Sequence, residues 1–229
     1  MDRTPLRALT ALACLALAGC PADTPSSAGA SSADPPLPSQ VEAEAEAEAF
    51  EAQPLEFDDW YPDAIQAPEG TEYPCALTAL PKELEGIPPK ERRFVNHVYA
   101  CVFDSIQAKQ VILQALANGE DGLQPKLEAY LEQTGAALEK IRAEPAPPGL
   151  RPFRDQVVGA IELQQTFFTQ GVAKAEEGVP LKEIYAIPEG RQASKRLLSA
   201  WSAMSQRYPS WGPEVKDSVY HHLCALDLF

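Results

Sequence analysis

What most constrains this chain is a set of apolar stripes at helical spacing, running from about residue 89 to residue 226. In the first, Phe94, Val98, Cys101, Val102, Ser105, Ala108, Ile112 and Leu116 recur at intervals of three and four, the spacing of one helix face. Val95, Ile106 and Leu113 widen that stripe, so this helix should be the most buried. Pro89 suits a first turn, where the missing N–H is not needed. Asn118-Gly119 marks its end. A second stripe over 125–143 carries Leu127, Tyr130, Leu131, Thr134, Leu138 and Ile141, and Pro145, Pro147, Pro148 and Gly149 break the chain after it. A third, over 152–177, carries Phe153, Val157, Ala160, Ile161, Gln164, Phe167, Phe168, Gly171 and Ala175. After a connection over 178–188, a fourth over 189–208 buries Leu197, Trp201, Met204 and Tyr208. A fifth over 213–226 buries Val215, Val219, His222, Leu223 and Leu226. No stretch alternates at the period of a strand. The expected class is all-α: a bundle of four main helices in up-down order, with a short C-terminal helix docked on it.

Ahead of the helices, residues 60–88 read as an irregular strap. Trp60, Tyr61, Ile65, Tyr73 and Leu77 are too apolar to stay in water, while Pro62, Pro68, Pro74, Pro81, Pro88 and Pro89 forbid a long helix. The strap should pack on the bundle, with one short helix at 82–85. Residues 20–59 read as a linker. They hold ten acidic residues and no Lys or Arg, out of a net charge of −14 for the chain. Residues 60–229 hold 22 acidic and 17 basic residues, so most of the acidity lies in the tether. From Glu42 to Ala49, Glu alternates with Ala. A helix would spread those charges all round and a strand would stack them on one face, so disorder is expected. About 40 flexible residues span roughly 35 Å. No Lys/Arg-rich run follows a phosphate backbone, so nucleic acid is not an expected partner.

Residues 1–19 have the layout of an export signal. Arg3 and Arg7 precede an apolar run from Leu9 to Ala18 that only Thr10 interrupts. At about ten residues it is far short of the roughly 20 that span a bilayer, and it reads as a cleaved segment. Then comes Leu17-Ala18-Gly19-Cys20. This stretch resembles the lipobox of bacterial lipoproteins. The resemblance covers residues 1–20 alone, and the globular part carries no family motif. It implies cleavage before Cys20, diacylation of the Cys20 thiol (palmitate-type chains), and acylation of the new amino group. Several chains on one residue attach far more firmly than a single myristoyl group. Pro21, where inner-membrane retention uses Asp, implies an outer-membrane destination.

With Cys14 removed and Cys20 acylated, Cys75, Cys101 and Cys224 remain. Cys101 falls in the middle of the first core stripe, and Cys224 lies about 180° from Val215, away from its own stripe. The expectation is a disulfide from Cys75 to Cys224, with Cys101 a buried free thiol; Cys75–Cys101 is the rival pairing. Closing a loop of about 150 residues would stabilise by roughly 4–5 kcal/mol in the chain-entropy account.

Chemistry is sparse. There is no Cys-x-x-Cys-His for covalent haem, no Glu-x-x-His pair, no His-Glu-x-x-His, no Gly-x-Ser-x-Gly and no phosphate-cradling glycine loop. No cofactor and no catalytic residue is therefore assigned. His222, Gln164, Ser105 and Cys101 are polar or sulfur groups within apolar stripes. Gln164 and Ser105 are expected to bond one another or to line a small polar pocket between helices, and His222 to be a satisfied core histidine or else a metal or haem ligand; with Cys101 they would line the site of a ligand-binding bundle. Asp104 and Glu162 fall on flank and outer faces, not as an acid–base pair. Arg191, Lys195 and Arg196 gather near the start of the fourth helix, opposite in sign to the linker glutamates, and read first as a solvated face. The expected function is a lipid-anchored envelope protein, a non-catalytic binding or interaction module with an envelope protein as partner. The alternatives are a small-ligand, haem or metal-binding bundle and an enzyme of unrecognised type.

Overall fold

The computed structural model describes Glu42, Ala45, Glu46, Glu48, Ala49, Phe50, Leu77 and residues 79–228. The class is all-α, with no strand among the described residues. The helices are α1 (Pro89–Asn118), α2 (Gln124–Ala143), α3 (Arg151–Glu176), α4 (Leu181–Ile184), α5 (Pro188–Arg207) and α6 (Pro213–Leu226). A 3-10 turn, Pro148–Leu150, precedes α3. The five long helices share one way of starting. Each has a proline at its first or second position, and none has a side-chain cap at its N-terminus. The proline ring presets φ and removes an N–H that would have no partner there. At its far end α1 stops on Gly119, whose φ of 64° is left-handed. The Gly119 and Glu120 amides then reach back to the carbonyls of Leu116 and Ala115.

The core explains the topology. One apolar layer joins Phe94, Val98 and Val102 in the first half of α1 to Leu138 and Ile141 late in α2, Phe153 and Val157 early in α3, and Ala200 and Met204 late in α5. A second layer joins Ile112 and Leu116 late in α1 to Leu127 and Tyr130 early in α2, Phe167, Phe168 and Val172 late in α3, and Ile184 and Ile187 just before α5. Early halves meet late halves, so the long helices alternate in direction. The most extensive pairing is α3 on α5, followed by α1 on α2. α6 touches both α5 and α1, and so closes the ring. Ala160, Ala193 and Ala200 are fully buried, which lets backbones approach closely. Gly171 lies against α4, where a Cβ would come within 3.1 Å of Ile184 Cγ2.

The first turns of α1 are buried on nearly every side, Glu91, Arg92, Asn96 and His97 included. Leu77, Leu80 and Ile87 of the strap lie in the same apolar layer. Asn96 explains how polar backbone is accepted there. Its Oδ1 takes the Leu80 amide at 2.8 Å, and its Nδ2 donates to the Leu80 carbonyl at 3.1 Å. At the outer end, Glu91 accepts from the Arg207 guanidinium and the Tyr208 hydroxyl, tying the start of α1 to the end of α5.

Two expectations change. The short helix at 82–85 is replaced by turns, with Leu84 N bonded to Pro81 O at 3.2 Å. Gly86, at a left-handed φ of 79°, turns the chain just after residues 82–85. In the linker, Glu42, Ala45, Glu46, Glu48, Ala49 and Phe50 are helical, where disorder was expected. Opposite charge offsets the repulsion there. Arg151 grips both Glu46 oxygens. Lys90 donates to the Phe50 carbonyl at 2.6 Å and sits 5.4 Å from the centre of its ring. The other linker residues, the signal, Cys20 and Cys75 lie outside the described residues. No helix among the described residues is long and apolar enough to cross a membrane.

Asn96→Ala would leave the Leu80 amide and carbonyl buried without partners. The expected cost is about 2–4 kcal/mol, seen as a lower urea midpoint. Hydrogen exchange at Leu80 should accelerate more than at Ile112. An unchanged midpoint would refute the Asn96 anchor.

Candidate functional site

The four positions singled out in the sequence are all buried, but they fall into separate neighbourhoods. Gln164 is 1% exposed. Its Nε2 donates 2.8 Å to the Leu226 carbonyl, at the end of α6. His222 is also 1% exposed. Its ring stacks on Tyr99, centroids 4.0 Å apart at 9°, and Nδ1 lies 2.8 Å from the Ser218 carbonyl. Tyr99 in turn meets Phe153 edge-on, centroids 6.1 Å apart. Burial pushes the His222 imidazole down to about 4, so it is neutral at pH 7.

Cys101 belongs elsewhere. Tyr99 and Cys101 stand about 200° apart around α1, so the thiol faces away from the His222 stack. Its Sγ is 3.7 Å from His97 Nε2, and that nitrogen is 3.2 Å from the Lys140 carbonyl of α2. A Cys beside a His is the arrangement of thiol nucleophiles. This pair is tuned the other way: burial pushes the Cys101 thiol up to about 12 and lowers the His97 imidazole. A protonated thiol in apolar surroundings is a small core residue, not a nucleophile. Ser105, one turn further along α1, is buried, and its hydroxyl has no hydrogen-bond partner among the described residues.

The convergence that does form is at the end of α6. Lys109, 5% exposed, sends its ammonium into the carbonyls of Ala225 (2.5 Å) and Asp227. Gln164 takes the carbonyl of Leu226 between them. Ser194 Oγ donates 2.5 Å to Asp227 Oδ1, which also accepts the Leu228 amide at 2.7 Å. Three helices thus each contribute one polar side chain: α1, α3 and α5. Burial lowers Lys109 to about 8, with Asp227 opposing the shift. The ammonium still carries its charge at neutral pH, where a helix C-terminus favours a cation. Chemically this is an interlock. Lys109 and Gln164 donate to backbone carbonyls and Ser194 to the Asp227 carboxylate.

Other candidates disperse. Glu162 pairs with Arg142 on the surface, and Asp104 is exposed. Arg196 turns toward Gln156 of α3 at 3.4 Å, while Arg191 and Lys195 stay exposed. Glu46 of the tether meets Arg151 and not this cluster. A recess of about 490 Å³ is lined, among the described residues, by Tyr185, Arg191, Ser194 and Leu228. None of the four singled-out positions borders it. No group of three or more metal-ligating side chains occurs among the described residues. Cys101 and Cys224 are both free thiols, Cys101 buried and Cys224 exposed. No disulfide is seen among the described residues, and the Cys75 half of the expected pair lies outside them.

Sequence reasoning passed over Lys109, Asn96 and the Ser194–Asp227 contact. A signal existed for Lys109, which stands four residues beyond Ser105 and three before Ile112, on the inward side of α1. No protein-family model, curated protein or solved structure matches this chain.

The His222 shift has a definite sign. Between pH about 6.5 and 4 the unfolded chain takes up a proton at this ring that the folded chain does not. Stability therefore falls on acidification through that window, by about 3 kcal/mol. His222→Phe keeps an aromatic ring on Tyr99 and cannot titrate. From urea midpoints it should lose about 3 kcal/mol less than the natural protein between pH 7 and 4. Equal losses would contradict a buried neutral His222.

Proposed function

We propose that this is a lipid-anchored envelope protein whose helical domain is a non-catalytic binding or interaction module. The observation that carries the reading is Leu17-Ala18-Gly19-Cys20 behind a short apolar run. On this reading Cys20 bears the acyl chains, Pro21 directs the protein to the outer membrane, and residues 20–59 tether the domain. The architecture is read as four main helices with the C-terminal helix docked on them. The interior supports the non-catalytic part. Gln164 and Lys109 hold the end of α6, His222 stacks on Tyr99, and Cys101 stays protonated. A second reading, binding of a small ligand, is favoured by the recess beside Tyr185 and Arg191.

Intact mass of the protein purified from membranes tests the anchor. The expected mass is that of a chain starting at Cys20 plus two or three acyl groups, and Cys20→Ser should move the protein to the soluble fraction. Cleavage after Ala18, with an unmodified Cys20 thiol, would refute the reading. Native mass spectrometry of the same sample separates the two kinds of module. An excess mass that disappears on denaturation would favour the small-ligand reading; a stoichiometric protein partner would favour the interaction reading.

A further inference from the structure

The face shared by α5 and α6 carries exposed apolar and aromatic surface. Leu198 is 56% exposed and Tyr220 is 41% exposed. Half-buried Trp201 meets Tyr220 edge-on, ring centroids 5.8 Å apart at 68°. Leu198 and Trp201 are three residues apart on α5, about 60° around the helix. The three side chains therefore form one patch across two helices. Single exposed apolar residues are ordinary, whereas a Trp–Tyr–Leu cluster has the make-up of a recognition surface. Val111 on α1, 55% exposed, is such a single residue.

The charge beside the patch has a definite sign. Arg191 and Lys195 lie about 20° and 60° around α5 from Leu198. Both are exposed, and neither makes an ion pair among the described residues. This is a local excess of cations on a domain whose net charge is negative. Arg191 also borders the recess of about 490 Å³, beside Tyr185 and Leu228. The pairs Trp201–Tyr220 and Ser194–Asp227 show that α5 and α6 run antiparallel in one register. Arg191 and Lys195 thus lie at one end of the patch, and exposed Asp217 toward the other. Asp227 is already engaged by Ser194 and the Leu228 amide. The exposed guanidinium and ammonium beside these apolar groups complement a segment that is acidic and partly apolar.

We infer that the α5–α6 face docks a segment of a partner protein that carries acidic residues next to aliphatic or aromatic ones. Its carboxylates meet Arg191 and Lys195, one apolar side chain enters the recess beside Tyr185 and Leu228, and another covers Leu198 and Trp201. Arginine suits this task because its planar fork takes a carboxylate through two parallel hydrogen bonds. The inference rests on the interaction reading and names the chemistry of the partner.

The test is a selection from a displayed library of random 12-residue peptides, against the full chain in nanodiscs of neutral lipid. Enriched peptides should combine Asp or Glu with Leu, Phe or Trp. A fluorescein-labelled copy of the most enriched one should bind at least tenfold more weakly to Leu198→Asp and to Arg191→Glu, and equally well to Val111→Asp. Its affinity should fall with added salt. Circular dichroism checks that the variants keep their fold. An enriched peptide whose binding ignores Leu198→Asp and Arg191→Glu would overturn this site and leave the interaction reading standing. So would self-association, or attachment to phosphatidylglycerol vesicles, that Leu198→Asp abolishes in the absence of any selected peptide. No enriched peptide, together with a small molecule in native mass spectra, would overturn both.

Discussion

The structure depends on how the last helix ends. A helix C-terminus leaves its final carbonyls without partners, and burying them unpaired is costly. α6 has no left-handed glycine to turn its carbonyls outward; its chain leaves in extended conformation at Asp227. The carbonyls of Ala225, Leu226 and Asp227 are met instead by Lys109 and Gln164, from α1 and α3. Ser194 of α5 reaches the same point through the Asp227 side chain. The other side of α6 is fixed by the His222 ring on Tyr99. Because α6 joins α5 back to α1, these contacts decide whether the ring of helices closes.

That arrangement fixes the charge states inside the bundle. Lys109 is held down at about 8, His222 down at about 4, and Cys101 up at about 12, in each case chiefly by burial. Around neutral pH Lys109 is therefore a cation, His222 a neutral imidazole and Cys101 a neutral thiol. The cation is the group placed against helix carbonyls, where the helix dipole favours it. Lys109, Gln164 and His222 are thus engaged within the fold, while Leu198, Arg191 and Lys195 are exposed on α5.

Much of the fold was legible because prolines and stripes agree. Pro89 and Gly119 bound α1, Pro213 opens α6, and the stripes of α1, α2 and α3 face the core. Less legible were segments where tertiary contact overrides local preference. Glu42, Glu46 and Glu48 become helical where Arg151 and Lys90 offer cations. The connection before α5 turns into α4 as Ile184 packs against Gly171. Periodicity places Gln164 and His222 inward, but it does not say which carbonyl or ring waits there. Those partners lie 62 residues away for Gln164 and on another helix for His222. For the same reason the angle of Cys224 reads as outward, and the structure leaves it an exposed free thiol. Asn96 and Lys109 look like misplaced polar residues until the strap and the end of α6 come into place.

Native-state hydrogen exchange at the end of α6 tests the central claim most directly. The Asp227 amide bonds to the Leu223 carbonyl at 3.0 Å, at the last turn of α6, where an unpinned helix would fray. If the interlock governs the ring, Leu226 and Asp227 should exchange only through global unfolding, with the same opening free energy as Ile112 in α1. Rapid exchange at Leu226 and Asp227, with Ile112 still protected, would show that α6 ends loosely and that the bundle closes without it.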